Sequence, residues 1–231
     1  MKIILMMLLI GGVSSVKCQN AKDIVVNPLR DDTSQLTSKI FKYKDYQDGI
    51  VVFGDSDFVA AKMNLNRLSD KILFINPKSD TLVLAKPETF SMVIIESDTF
   101  YYKENTYLEK ITHYATCNLA VSRVIKLIGR EKKGAYGTYT ATASINSNTT
   151  FTNDDQITNY LGVDERAIFR LSETFYISDK FNNFFIANKK NFNKIFFNYE
   201  KEIKGFVNLN KVNFSKSGDI KNLLNYIQGL N

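Results

Sequence analysis

The sequence predicts an α+β protein: a mostly antiparallel β-sheet built of hairpins over residues ~49–177, packed by two C-terminal helices. Three observations carry this expectation. Short apolar runs recur from Gly49 onward, separated by Gly, Pro, Asn, Asp and Ser, as strands joined by turns do. Several of these runs alternate apolar with polar residues, the period of a half-buried strand. Beyond Ile177 the apolar period lengthens to that of a helix.

The elements follow in order. Ile50-Val51-Val52-Phe53 is an apolar run stopped by Gly54-Asp55-Ser56. Val59, Ala61, Met63 and Leu65 alternate with Ala60, Lys62 and Asn64. A turn over 66–70 leads to Ile72-Leu73-Phe74-Ile75, and Asn76-Pro77-Lys78-Ser79-Asp80 is turn chemistry again. Leu82 to Ala85, Phe90 to Ile95, Phe100 to Lys103, Tyr107 to Thr112 and Leu119 to Ile128 continue the series. Residues 129–155 are rich in Gly, Thr, Ser and Asn and read as a polar loop insertion or a loosely ordered hairpin. Ala167 to Ile177 is a further strand.

Phe192, Ile195, Phe196, Tyr199, Ile203, Phe206 and Val207 lie on one side of a helix. Ser217 can cap a final helix, with Asp219 in its first turn and Ile220, Leu223, Leu224 and Ile227 as its apolar stripe. Residues 175–214 hold eleven aromatics. They fit either a ligand-binding lining or rings buried beneath a helix, and the spacing of the helical ones favours the core.

The N-terminus reads as an export signal over residues 1–18. Lys2 precedes an apolar stretch from Ile3 to Val13, too short for a membrane-spanning helix. Two fates fit the end of this segment: simple cleavage near Cys18, or acylation of Cys18, since Ser15-Val16-Lys17-Cys18 is similar to a lipobox. Lys17 departs from that pattern. Residues 19–231 then form one domain with no transmembrane helix, exported to the periplasm, the outer membrane or the outside. Losing Lys2 and Lys17 lowers the formal charge from +6 to +4. The remaining charges are scattered, which argues against nucleic acid as a partner. A lipid anchor would associate the chain with the outer membrane or cell surface.

Chemistry is bounded mainly by what is missing. The chain has one histidine, His113, and two cysteines. His-based zinc sites, Ser-His-Asp triads and disulfide frameworks are therefore poor fits, and no metal or cofactor is expected. Gly129 and Gly134 have the spacing of a phosphate loop, but Ala135 and Tyr136 stand where Lys and a hydroxyl residue are needed. Cys117 reads as a small packed residue. The acids Asp55, Asp57, Asp154, Asp155, Asp164 and Glu165 are the candidates for carboxylate chemistry, and as paired acids in turns they more simply form turns. The candidate binding residues are Tyr136, Thr138, Tyr139, Asn146 and Asn148, because exposed Tyr beside Thr and Asn suits adaptable recognition.

Asp48-Gly49, the strand from Gly54 to Leu65, the run Asn66 to Ile75 and Asp80-Thr81-Leu82 together resemble a recurrent segment of uncharacterised secreted or envelope proteins of Bacteroidetes-type Gram-negative bacteria. The stretch from Phe192 to Tyr226 is similar to the two-helix ending of the same proteins. The resemblance implies an envelope or secreted location and brings no known activity. It also marks Thr81 as a candidate O-glycosylation acceptor. The leading expectation is a non-enzymatic binding or structural role in the envelope. The alternatives are a periplasmic carrier of a lipid or other apolar ligand on a curved sheet, and a carboxylate-dependent hydrolase.

Overall fold

The structure is a computed structural model that describes residues 23–26, 39–54, 57–134, 137–141 and 165–230. The expected signal over 1–18 lies outside these residues. The fold is α+β. The strands are β1 (Asp23–Val26), β2 (Gln47–Phe53), β3 (Asp57–Asn66), β4 (Lys71–Ile75), β5 (Thr81–Val83), β6 (Met92–Ile95), β7 (Asp98–Lys103), β8 (Thr106–Tyr114), β9 (Cys117–Lys133), β10 (Tyr139–Ala141), β11 (Glu165–Ser178) and β12 (Phe184–Ile186). They form one sheet in the order β1-β11-β9-β8-β7-β6-β2-β3-β4-β5. β10 adds to β9, and β12 adds to β11. Every pairing is antiparallel.

Local chemistry sets the hairpins. Asn66 Oδ1 accepts hydrogen bonds from Leu68 N and Ser69 N, closing the β3–β4 turn. Asn76 Oδ1 does the same for Lys78 N and Asp80 N between β4 and β5. Glu104 and Asn105 both take positive φ in the two-residue turn from β7 to β8, the geometry that matches strand twist.

The sheet curls back on itself. Ile125 N on β9 donates to Arg67 O in the β3–β4 turn at 2.8 Å, although four strands separate β9 from β3 along the sheet. Inside the curl, Val51, Met63, Ile72, Val93, Ile95, Phe100 and Tyr107 form one core cluster. Ile40 packs with Ile125, Ala167 and Phe169, and Leu68 packs against them, closing the far end.

Three helices cover the other end of the inner face: α1 (Lys189–Ile195), α2 (Glu200–Asn210) and α3 (Ser217–Gln228). Phe192, Ile203, Ile220, Leu223, Leu224 and Ile227 pack on Leu119, Val121, Phe175 and Ile177. This burial, about 1.5–3 kcal/mol for each large apolar side chain, holds the helices to the sheet. The expected stripe of α3 is buried at all four positions.

The structure corrects two expectations. The continuous helix through 192–207 is broken, so the C-terminal helices among the described residues number three, not two. Phe196 leaves helical geometry at φ −111° and ψ 49°, and a 3₁₀ turn over Phe197–Tyr199 intervenes. The apolar spacing survives the break because Phe196 still points inward while Phe197 turns out. The other correction is that Ser217 is the first residue of α3, and Lys216 is the capping position. The polar stretch from 129 begins as sheet, since β9 runs to Lys133 and β10 returns along it, and residues 142–164 lie outside the described ones.

Candidate functional site

Among the described residues, a concavity lies where the β11–β12 turn meets the junction of α1 and α2. Its volume is about 700 Å³, within the range of small-molecule sites. Phe181, Phe185, Ile195, Phe196, Phe197 and Tyr199 supply its apolar wall, and Asp179, Lys180 and Lys194 its charges.

Each wall is fixed by short-range chemistry. Asp179 Oδ1 accepts from Phe181 N at 2.8 Å and Asn183 N at 2.9 Å, and Oδ2 accepts from Asn183 Nδ2 at 2.9 Å. Asn182, at φ 60°, completes the turn. Desolvation opposes charging Asp179, but these hydrogen bonds and the nearby Lys194 outweigh it and hold the carboxyl below its usual range. Its oxygens are thus occupied by its own turn, while its charge also acts on Lys194. On the facing wall, Asn188 Oδ1 caps α1 by accepting from Asn191 N. The break after α1 is closed by Tyr199 N donating to Phe196 O at 2.9 Å. This break divides two adjacent rings: Phe196 is 8% exposed and Phe197 72%. Phe181 is also 72% exposed.

The two lysines lie on aromatic surfaces. Lys194 Nζ is 4.3 Å from the centre of the Phe185 ring, and Lys180 Nζ is 5.0 Å from that of Phe181. An ammonium over a ring gains from the ring quadrupole and keeps its remaining donors for an anion. The pocket therefore combines an apolar floor with two cationic groups at its wall.

The β8–β9 hairpin is tied to this region. His113 Nδ1 lies 2.9 Å from Asn118 Oδ1, and Asn118 Nδ2 donates to Asn182 Oδ1 at 2.7 Å. Because the Asn118 amide nitrogen points at Asn182, its oxygen accepts and His113 Nδ1 carries the proton. His113 thus braces one turn against another.

A second constellation lies on the inner face of the sheet. Glu109 Oε2 meets Lys42 Nζ at 2.6 Å and Arg123 Nη1 at 2.9 Å. Arg123 Nε also meets Glu173 Oε1 at 2.9 Å, and Lys42 Nζ meets Asp98 Oδ2 at 3.2 Å. Tyr43 donates its hydroxyl to Asp98 at 2.7 Å; burial first, then Asp98, pushes that hydroxyl upward, so it stays protonated. Arg67 joins these groups electrostatically. Burial lowers its proton affinity, Glu109 works in the opposite sense, and its Nε has no hydrogen-bond partner. Positive and negative groups balance here, so the network reads as a fastening between the segment at 42–43 and the sheet.

The sequence-derived site residues fall as follows. Tyr136, Asn146, Asn148 and Cys18 lie outside the described residues. Tyr139 is on β10, and the Arg166 guanidinium stacks on its ring at 4.0 Å. Arg166 in turn holds Glu131, with Nε to Oε2 at 2.6 Å. Tyr139 is therefore engaged within the sheet. Thr138 is exposed, and its carbonyl accepts from Gly134 N at 2.7 Å. Thr81 is exposed at the start of β5. Asp57 is exposed at the start of β3. Asp55, Asp154, Asp155 and Asp164, and the Glu165 side chain, lie outside what is described. Cys117 is buried and its thiol is pushed up to about 12 by desolvation.

Neither constellation was singled out as a site by sequence. The aromatics of the pocket were visible as a composition, but not their partition between core and wall. The layer between sheet and helices is filled by Leu119, Ile177, Ile203, Ile220 and Leu223, so the cavity lies beside that layer. Among the described residues no helix is long and apolar enough to cross a membrane, and no His, Cys, Asp and Glu side chains group to hold a metal ion. Comparison with models of known protein families, with curated proteins and with solved structures finds no match to this chain.

Proposed function

We propose that this chain is a non-enzymatic binding protein of the cell envelope or secreted space, and that its pocket takes a small amphiphile with an apolar body and an anionic head. The observation that carries this reading is the pairing, in one cavity of about 700 Å³, of aromatic walls with two ammonium groups. Apolar surface supplies the affinity, and a few placed charges supply orientation. Asp179 has its oxygens bonded to its own turn, and its charge, which Lys194 stabilises, offsets one of the two lysines and leaves the wall with a single net positive charge. A carboxylate, sulfonate or phosphate head suits Lys180 and Lys194, and a chain or ring suits Phe185, Phe196 and Tyr199.

This reading joins the binding role to the carrier of an apolar ligand and moves the ligand from the curve of the sheet to its end. The hydrolase alternative needs two acids facing one cleft. Among the described acids, Glu109 and Glu173 are bridged by the guanidinium of Arg123, and Asp98 and Glu109 by the ammonium of Lys42. The export reading supplies the compartment and rests on the sequence of residues 1–18.

Native mass spectrometry of the chain purified from its own cells tests the reading. A retained species that leaves on denaturation and carries both an alkyl or aryl body and an acid group is expected. A chain that is ligand-free, and that also fails to take up a long-chain carboxylate in solution, would remove the proposal.

A further inference from the structure

We infer that the mouth of this pocket docks on an anionic lipid bilayer. The inference rests on the amphiphile reading above, and names the surface from which such a ligand would be drawn.

Two large rings stand at the rim, Phe181 and Phe197, each 72% exposed. Both are held out by rigid local structure. Phe181 sits in the turn closed by Asp179, and Phe197 opens the 3₁₀ turn after α1. Exposed single apolar residues are ordinary on protein surfaces. Two phenylalanines projecting beside the same apolar cavity are a continuous patch instead, and such patches mark partner or membrane contacts.

The charge around them selects the partner. Lys180 Nζ lies against the Phe181 ring, and Lys194 reaches over Phe185 beside Phe197 in the wall. Asp179 in the same wall offsets one of these lysines, so the charged groups of the lining sum to a single positive charge. Apolar rings that enter the interface, with lysines beside them that reach headgroups, are the combination that binds anionic bilayers. Each lysine near such a surface adds about 1 kcal/mol, and the attraction is screened by salt. A neutral bilayer offers the rings a place but leaves the lysines without counter-charges.

Vesicle flotation of the full chain tests this. Phosphatidylcholine vesicles are compared with mixed phosphatidylcholine–phosphatidylglycerol vesicles, at low and high salt. The chain is expected to float with the anionic vesicles only, and to be released by salt. The double variant Phe181→Asp with Phe197→Asp is expected to partition about tenfold less or worse. Phe58→Asp, at another exposed ring 66% accessible on β3, is expected to float as the wild type does. Circular dichroism checks that both variants are folded. Flotation that is equal on neutral vesicles, or that survives the double variant, overturns the inference. So does a self-association measured by light scattering and abolished by the double variant without vesicle binding, since the patch would then cover a second copy. A wild-type chain that binds a long-chain carboxylate in solution but does not float refutes the docking and leaves the pocket reading standing. A chain that floats but binds no soluble amphiphile does the reverse.

Discussion

Lys194 places its ammonium 4.3 Å from the centre of the Phe185 ring, so the cation of α1 rests on the aromatic face of β12. The contact spans the pocket wall and fixes where an anionic head would sit. Replacing this lysine by glutamine removes the charge and keeps most of the stem. Lys194→Gln is expected to weaken binding of a long-chain carboxylate about tenfold, the worth of one charge-assisted hydrogen bond. The thermal midpoint should move little, because an exposed cation–π contact contributes only about 0.5–1 kcal/mol. Calorimetric titration and thermal unfolding read the two effects separately.

The inner-face network makes a stability prediction. Glu109 is the shared partner of Lys42 and Arg123 and is 15% exposed, while Lys42 is 9% exposed. Glu109→Gln removes one of three carboxylates from a partly dry site and leaves Lys42 with Asp98 and Arg123 with Glu173, with an expected loss of about 1–3 kcal/mol in urea unfolding. The pair Lys62–Asp48 is the contrast, being 55% and 90% exposed. Lys62→Gln should change stability by less than about 1 kcal/mol.

Two acids are expected to respond to pH with opposite signs. Burial raises Asp70 above its ordinary range, and hydrogen bonds from Thr106 and Tyr107 N only partly offset this. A raised carboxyl destabilises the fold progressively as pH rises from its unfolded value through its folded one. Asp70→Asn should therefore stabilise the chain at neutral pH, with the gain vanishing below about pH 4. Asn also tolerates the positive φ at this position. Asp98 runs the other way. Burial opposes its ionisation, but Tyr43 and Lys42 outweigh burial and hold it below the usual range. Its contribution is present above an unfolded value of about 3.9 and is lost as pH falls through its lower folded value. Asp98→Asn should be destabilising at neutral pH and nearly silent in acid. Urea midpoints across pH 2–8, roughly the span of these titrations, check both.

Cys117 is buried among Tyr114, Leu119 and the helices, and its thiol is pushed up to about 12. With Cys18 replaced by Ser, the folded chain should not react with iodoacetamide at neutral pH and should label fully in urea. Rapid labelling of the native chain would place this thiol at the surface.

Most strands were legible because local apolar runs or alternations mark them between turn residues. Val59 to Leu65 alternates and β3 spans it from Asp57 to Asn66, although Val59 stands exposed and Asn64 and Asn66 are buried. The stripe of α3 was legible for the same reason. What failed to show is non-local. β1, β10 and β12 are four, three and three residues long, and each exists by pairing to β11 or β9. The break at Phe196 leaves no trace in the apolar spacing, because a single 3₁₀ turn returns the next inward residue to nearly the same side.

The inner network did leave a signal. Arg123 stands at the inward parity between Val121 and Ile125, and Glu173 between Leu171 and Phe175. A charge on a buried parity calls for a partner, and each of these residues is the other's cross-strand neighbour. The pocket left less. Phe196 and Phe197 are adjacent and identical in type, and only the backbone at Phe196 decides which one enters the core.

The most direct test of the central claim is a calorimetric titration of the wild-type chain with a long-chain carboxylate and with the alcohol of the same chain length. The account predicts saturable binding of both to one site, with the acid about tenfold tighter and that advantage lost in Lys194→Gln. Equal affinity for acid and alcohol, or no saturable binding of either, would contradict it.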